Sequence, residues 1–459
     1  MPRNTRNRRN PLGRQTRKRV SSALCGQIVS RKNGWIVVSI HGNAYDRGYA
    51  HGVLLAPELA RVVRMFPFLV KQEFNTTVDE YVSRCRRIFR KSLTEKYPEY
   101  MEEIRGISQG AKLRGTDISE DTLLAWNAFL SMYGEYRKGS SEDSSKSGNR
   151  CSAFIATGSA TEKGDIVMAH NTHCDFALAS VSNIILYLTP EKGIPFCMQT
   201  CPGLICSSMD WFLCKNGLMG CETTISGIKY KPDFGTPYFC RIRECMQYGN
   251  SLDEYAKIML RDNAGDYACS WLFGDTRTGE IMLCELGLRK HHIEKTKNGV
   301  YYGMNSAIGP EIRDKETNDT QHHDWSTSSG ARNARLAYLL NIQHAGQINA
   351  AIAKAVLADH YDVYEGEERT GVRTICKHTE LETEHFTRGA FYPHGAIDGK
   401  VATTEMAKRM SFWGKFGASC HRAFSKNKYL TKHPRYAKWR PYLVDLPNHP
   451  WTKIRPQQT

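Results

Sequence analysis

Between residues 138 and 150 the sequence reads KGSSEDSSKSGNR, and the hydrophobic period changes across it. Ahead of it, from Pro57 to about Gly134, apolar residues recur three to four apart, the spacing of amphipathic helices. PELARVVRMFPFLVKQ opens with proline at a helix start, and PEYMEEIRGISQGAKL (98–113) carries acid in its first turn. DISEDTLLAWNAFL (117–130) offers Ser and Asp as a cap. Behind it the pattern is that of strands. CSAFIAT and DIVMAH are joined by GSATEKG, and NIILYLTP, DWFLC and LMGCETTI follow. SWLFGD and EIMLCEL flank TRTG, and HHIEKT and VYYGMN flank KNG, both hairpin signals. Helical stretches at 252–262, 331–343 and 347–359 interrupt this meander. Strands in runs and helices in runs predict an α+β fold. No solenoid repeat is visible.

A chain with this punctuation divides into a basic tail (1–33), a strand plus helical segment (34–137), the Ser/Gly-rich linker (138–150), a strand-rich body (151–420) and a basic wrapping tail (421–459). GWIVVSI (34–40) reads as a strand, and the glycines of HGNAYDRGYAHG (41–52) imply a tight turn and close backbone packing. The net charge is +16, and the first nineteen residues hold eight Arg/Lys and no acid. Such a run is a flexible tail or an arm for polyanions. The chain is 41% hydrophobic and 24% charged, enough apolar content for a sizeable core. No apolar run reaches the length of a membrane span, and no apolar signal segment opens the sequence, so a cytoplasmic location is the expectation. The fifteen cysteines are irregularly spaced and form no CxxC pair. They are expected as free thiols, with no metal centre and no cofactor.

Cys151 is the first residue after the linker. Amide or ester cleavage by a thiol needs a base to make the thiolate, a proton for the leaving group and donors for the oxyanion. His170 or His173 could be the base, as in papain-like enzymes. Alternatively the chain is cut before Cys151, and the freed α-amine, which titrates near working pH, serves. A base histidine needs only proximity and does not explain why the cysteine opens a strand behind an accessible loop; a processed nucleophile explains both. Position alone fits a half-buried strand cysteine equally well. Taken singly, Asn305 reads as a turn residue, His170 and His173 as strand-end histidines, and Arg332 and Arg335 as a solvated helix face. Glu222, within the strand pattern LMGCETTI, needs a partner if buried and is a candidate for a site or a salt bridge.

RCSAFIATGSATEKGDIVMAHNTH resembles the start of the catalytic chain in N-terminal nucleophile (Ntn) hydrolases of the penicillin-forming acyltransferase and phospholipase B-like group. HGNAYDRGYAHG, PEYMEEIRGISQGAKL, GLMGCETTISG, GDYACSWLFGDTRTGEIMLCELG, YYGMNSAIGPEIR and STSSGARNARLAYLL resemble further pieces of that group in the same order, across roughly residues 35 to 420. The resemblance implies a four-layer αββα sandwich of two antiparallel sheets. It implies Cys151 as nucleophile with its freed amine as base, and a turn at His170, Asn171 and His173 beside it. His173 stands where many acyltransferases carry Asp, and Asp175 follows two residues later. Asn305 matches the oxyanion-hole asparagine, and Arg332 or Arg335 would orient a substrate carboxylate or the active-site loop. HGAIDGKVATTE (394–405), with Asp398 and Lys400, is similar in flavour without an assigned role. The implied activity is hydrolysis of a linear amide or ester in a small molecule, lipid or peptide, through an acyl-enzyme. It follows autoproteolysis at Arg150–Cys151, with the N-terminal chain retained as a non-covalent partner. An acyltransferase of the same fold, or an inactive scaffold whose basic tail binds polyanions, are the alternatives.

Overall fold

The structure, a computed structural model, describes residues 24–136, 151–319, 321–383 and 389–456. The linker and most of the N-terminal basic tail lie outside the described residues. Strands β1 (Gly26–Lys32) and β2 (Trp35–Gly42) precede helices α1 (Ala44–Leu54), α2 (Ala56–Phe74), α3 (Val78–Lys96), α4 (Pro98–Leu113) and α5 (Glu120–Asn127). Then come β3 (Ser152–Gly158), β4 (Gly164–Asp175), α6 (Phe176–Ala179), β5 (Ile184–Pro190), β6 (Phe196–Thr200), β7 (Trp211–Cys214) and β8 (Leu218–Thr224). Helices α7 (Tyr238–Tyr248) and α8 (Leu252–Leu260) lead to β9 (Cys269–Asp275), β10 (Glu280–Leu286), β11 (His291–Thr296) and β12 (Gly299–Gly303). Helices α9 (Pro310–Glu316), α10 (Ser328–Tyr338) and α11 (Ala350–Leu357) precede a two-residue hairpin, β13 (Tyr361–Asp362) and β14 (Glu367–Glu368). The chain closes with β15 (His394–Thr403), α12 (Thr404–Lys408), β16 (Phe412–Phe416), α13 (Lys426–Lys432) and β17 (Thr452–Ile454).

The strands form a nine-stranded sheet in the order β1-β2-β5-β6-β7-β8-β9-β10-β11 and a six-stranded sheet in the order β12-β3-β4-β15-β16-β17. The fold is α+β, as expected, but the larger sheet is not wholly antiparallel: β2 runs parallel to β5. The turn between HHIEKT and VYYGMN closes no hairpin either. β11 pairs with β10 in the larger sheet, whereas β12 crosses over and pairs with β3 in the smaller one. Two stretches grouped with the tails by their composition join the sheets. Gly26–Lys32 is the edge strand β1, and Thr452–Ile454 pairs with β16. Backbone pairing at a sheet edge tolerates the Lys and Arg side chains that made both stretches look solvated.

The two sheets face each other. A side chain at Gly274 of β9 would meet Ile155 of β3 and Ile166 of β4. On the other side of β3 and β4, Phe154, Ala156, Val167 and Ala169 pack with Leu336, Leu340, Val356 and Leu357 of the α10–α11 region. On the far side of β9, Trp271 and Phe273 meet Tyr238 of α7 and Tyr255 of α8. The period-2 alternation of β3 thus feeds two cores at once.

The glycines at 41–52 do bring backbones together, but within a helix rather than a turn. Asn43 caps α1 by accepting the Asp46 N–H, and Gly48 and Gly52 then lie one turn apart. They face Gly106 and Gly110 of α4. A Cβ at Gly48 would sit 2.0 Å from Glu103 O, and one at Gly106 2.3 Å from Tyr45 O. Beneath this seam Glu103 is buried between Arg47 Nε (2.6 Å) and Arg243 Nη2 (2.8 Å). Beside it, His51 Nε2 accepts the Gly203 N–H at 2.8 Å, which keeps the ring neutral, and burial pushes its pKa down to about 4.

Two outcomes follow from this seam. Gly106→Ala drives a methyl into backbone and is expected to lower unfolding free energy by about 2 kcal/mol, overpacking outweighing the helix-propensity gain, as read by urea titration. His51 binds a proton near pH 6.5 when unfolded and only near 4 when folded. Stability therefore falls as pH drops through that interval, by about 3 kcal/mol at its lower end. His51→Gln is expected to flatten that part of the stability profile.

Candidate active site

Cys151 stands immediately ahead of β3. In the β3–β4 register Ala153 lies opposite His170 and Ser152 opposite Asn171. The stretch His170–His173 is therefore interior to the twelve-residue strand β4 rather than a turn. A strand sends alternate side chains to opposite faces. His170 and Thr172 share the inter-sheet face with Cys151, whereas Asn171 turns to the helix side and donates to Leu357 O at 2.7 Å. His173 contributes its backbone N–H to the Cys151 sulfur, and its ring Nε2 accepts the Lys377 N–H at 3.5 Å.

A cavity of about 70 Å³ reaches Cys151. Polar lining includes Thr172, His173, Asp175, Asp210 and Tyr267, and apolar lining includes Trp126, Phe129 and Leu130 from the helical N-terminal segment. Apolar surface dominates its wall, as in small-molecule sites, but its volume is well below the roughly 300–1,000 Å³ usual for them. Asp175 thus lies in the cavity wall. Asn305, Arg332 and Glu222 stand outside that lining.

Arg332 approaches Cys151 from the opposite side. Its Nη1 donates to Cys151 O at 2.8 Å and Ser152 Oγ at 3.1 Å, and its Nη2 to Asn305 Oδ1 at 2.9 Å. The Ser328 carbonyl accepts from Nε at 3.0 Å. Among the described residues no carboxylate pairs with this buried guanidinium, and burial lowers its pKa to about 10, so it keeps its charge near neutrality. Asn305 holds a left-handed backbone, φ 76°, and its amide donates to Thr224 O at 2.9 Å. Arg335 goes elsewhere: it pairs with Asp359 at 2.6 Å and lies over Tyr361, away from the cavity. The two arginines are three residues apart, yet only one faces the site.

The Cys151 thiol meets Asp210 Oδ2 at 3.9 Å. Burial pushes its pKa well above the usual range, and the negative charges of Asp210 and Glu222 push it further. The His173 N–H and Lys400 work against them. Glu222 accepts from Tyr267 Oη at 3.3 Å. Lys400 is fully buried in an ion pair with Asp398 at 3.0 Å. It also donates to Thr172 Oγ1, Gln199 Oε1 and Met209 O, which ties β4 to the turn carrying Asp210. His170 Nε2 lies 2.9 Å from Glu222 O and so carries the proton of a neutral ring. Burial and Lys400 hold its pKa well below the ordinary value. Its Nδ1 lone pair has no hydrogen-bond partner among the described residues. Donor atoms of Cys151, His170 and Asp210 lie within 4.8 Å of one another, close enough for proton exchange after small movements or for a metal ion.

Asp210, Tyr267 and Lys400 complete this site, and sequence reading assigned none of them a role. Asp210 adopts φ 58° in a turn held by Ser207, whose hydroxyl accepts the Trp211 N–H. The available signals were an acid between apolar residues, in SMDWF, and a Lys in the strand HGAIDGKVAT.

No protein-family profile matches the chain. An uncharacterized protein of Archaeoglobus fulgidus is 25% identical over 258 residues, 54% of this chain and 42% of its own length, so the chain spans less than half of that relative. Among solved structures, a mutant of the conjugated bile acid hydrolase from Clostridium perfringens aligns with 67% of this chain and 98% of its own, at 10% identity and a TM-score of 0.32.

Because the Asp210 charge raises the Cys151 pKa, Asp210→Asn is expected to increase the thiolate fraction. At pH 8 alkylation of Cys151, followed by peptide mass spectrometry, should accelerate by up to about tenfold. An unchanged rate would show that the carboxylate does not control the thiol.

Proposed function

We propose that the chain is a cysteine-dependent hydrolase of the N-terminal nucleophile kind, acting on a linear amide or ester, with Cys151 as nucleophile. The observation that carries this reading is the placement of Cys151: a buried thiol on a cavity, at the mouth of a strand, with Arg332 holding its carbonyl. The two facing sheets with helices on their outer sides support the four-layer αββα reading.

In the uncut chain the thiol is protonated and inert, so a base must be supplied. Attack of Sγ on the carbonyl of Arg150, which lies outside the described residues, would form a thioester while the C–N bond breaks and the thiol proton passes to the Cys151 nitrogen. Water then releases the carboxylate of residue 150 and regenerates the thiol. The freed α-amine takes the thiol proton in later turnovers. Arg332 fixes the carbonyl of the nucleophile, and the Asn305 amide, donated to Thr224 O at rest, would turn to the oxyanion. His173 contributes through its backbone N–H, Asn171 and Arg335 brace the strand and helix, Asp175 adds polarity to the cavity wall, and the Glu222 charge helps keep the thiol protonated. Hydrolysis is preferred to acyl transfer because water needs no acceptor site.

A second reading has its own observation. A ring nitrogen of His170 lies within 4.8 Å of the thiol, and its Nδ1 has no hydrogen-bond partner among the described residues, so a histidine-assisted mechanism on an intact chain is the competitor.

Intact mass and N-terminal sequencing of wild type, Cys151→Ala and His170→Ala separate the two. Autoproteolysis yields a wild-type fragment beginning at Cys151 and an uncut Cys151→Ala chain. His170→Ala is then still cut and active on an acyl-amide and ester panel. One unbroken wild-type chain, with amidase activity lost at least about a thousandfold in His170→Ala, selects the histidine mechanism. An intact chain inactive on the whole panel sinks the hydrolase reading.

A further inference from the structure

Behind the nucleophile strand lies a second cluster that the reaction does not use. His360, between α11 and β13, Cys376 and His378, in the loop ahead of a short helical turn at Thr379–Leu381, and Cys420, after β16, bring one donor atom each to within 4.8 Å of one another. His378 Nε2 is 3.6 Å from Cys376 Sγ and 3.3 Å from Cys420 Sγ. The His360 ring packs edge-on to it, centroids 5.2 Å apart.

His378 Nδ1 donates to Glu380 Oε1 at 2.7 Å, so Nε2 is the nitrogen turned to the sulfurs. Two sulfurs from separate segments face that one nitrogen. The second imidazole, His360, has a buried Nε2 without a hydrogen-bond partner. Two sulfurs and two imidazoles thus converge on one point.

We propose that His360, Cys376, His378 and Cys420 bind a single tetrahedral metal ion of the zinc class. Bonds of about 2.3 Å to sulfur and 2.05 Å to nitrogen put tetrahedral S and N ligands about 3.6 Å apart, the Cys376–His378 separation and about 0.3 Å more than the Cys420–His378 one. Glu380 on the remote nitrogen of His378 is the carboxylate partner that ligating imidazoles ordinarily have. Two thiolates and two imidazoles select a borderline-soft ion over calcium or magnesium. Four protein ligands leave no open position, so the role is structural.

The ion would lock the scaffold of the nucleophile. Ile375 O accepts from Ser152 Oγ at 3.3 Å and Asn171 Nδ2 at 3.4 Å, and Lys377 N–H reaches His173. Ser419, adjacent to Cys420, donates to Asn171 Oδ1 at 2.6 Å. Crosslinking the loop at 376–378 to Cys420 therefore clamps both strands beside Cys151. Sequence spacing concealed the site because its ligands come from three segments and form no CxxC.

The test is the metal content of the full chain, expressed with zinc present, by inductively coupled plasma mass spectrometry. About one zinc per chain is expected in wild type and in Cys151→Ala, and only background in Cys376→Ser/Cys420→Ser. Cobalt exchanged into the wild type should give the intense visible bands and thiolate charge-transfer absorption of a tetrahedral site, a readout that needs no variant to fold. A metal-free wild type, with Cys376 and Cys420 as a disulfide or as free thiols, overturns the proposal. So does zinc lost in Cys151→Ala but kept in the double variant, which would assign it to Cys151, His170 and Asp210.

Discussion

A buried guanidinium without a carboxylate organises the centre of this molecule. Burying a charge is costly unless hydrogen bonds replace its water. Arg332 meets that cost with four acceptors, the carbonyls of Cys151 and Ser328, the hydroxyl of Ser152 and the amide oxygen of Asn305. Those acceptors belong to the start of β3, the loop after β12 and the first turn of α10. The planar fork fixes all three relative to one another, which a lysine could not do. Because no local anion among the described residues neutralises the guanidinium, its field remains available to a thiolate at Cys151, and that thiolate in turn favours the charged arginine.

The cavity side carries the opposite bias. Asp210 and Glu222 hold the thiol protonated, and Lys400, paired with Asp398, offsets them only in part. A cysteine in that balance is stable in the uncut chain and needs a base before it can react. Aromatic and aliphatic groups of the helical segment, Trp126, Phe129 and Leu130, wall the same cavity. A cut before Cys151 would thus leave the N-terminal piece embedded in the site: Phe66, Trp126 and Phe129 form one aromatic cluster, and Arg47 and Arg243 share Glu103 across the two segments.

Periodicity is a local property of the chain, and it carried far. PEYMEEIRGISQGAKL is α4 from its first residue to its last, and SWLFGD and EIMLCEL pair as a hairpin across TRTG. The candidate nucleophile was legible because it opens a strand pattern behind a Ser/Gly run. Reading His170–His173 as a turn failed because four consecutive polar residues lie there on a strand buried on both faces, where polarity no longer marks exposure. The glycines of α1 were read for close packing correctly and for a turn wrongly, since a small-residue face serves helix contact as well as it serves a bend. HHIEKT and VYYGMN are strands on either side of a reversal, but a turn signal fixes only the reversal and not which sheet the returning strand joins.

What the sequence determined by itself is the order of helix and strand, the α+β class and the position of Cys151 at a strand mouth, because period and composition act over a few residues. Only the tertiary structure decided that Arg332 rather than Arg335 faces Cys151, that Asp210 and Lys400 flank the thiol, and that two cysteines far apart in the chain converge with two histidines. Each of these depends on which face of an element is covered and by what. That is settled by packing between segments tens to hundreds of residues apart, for which a single sequence carries no spacing rule.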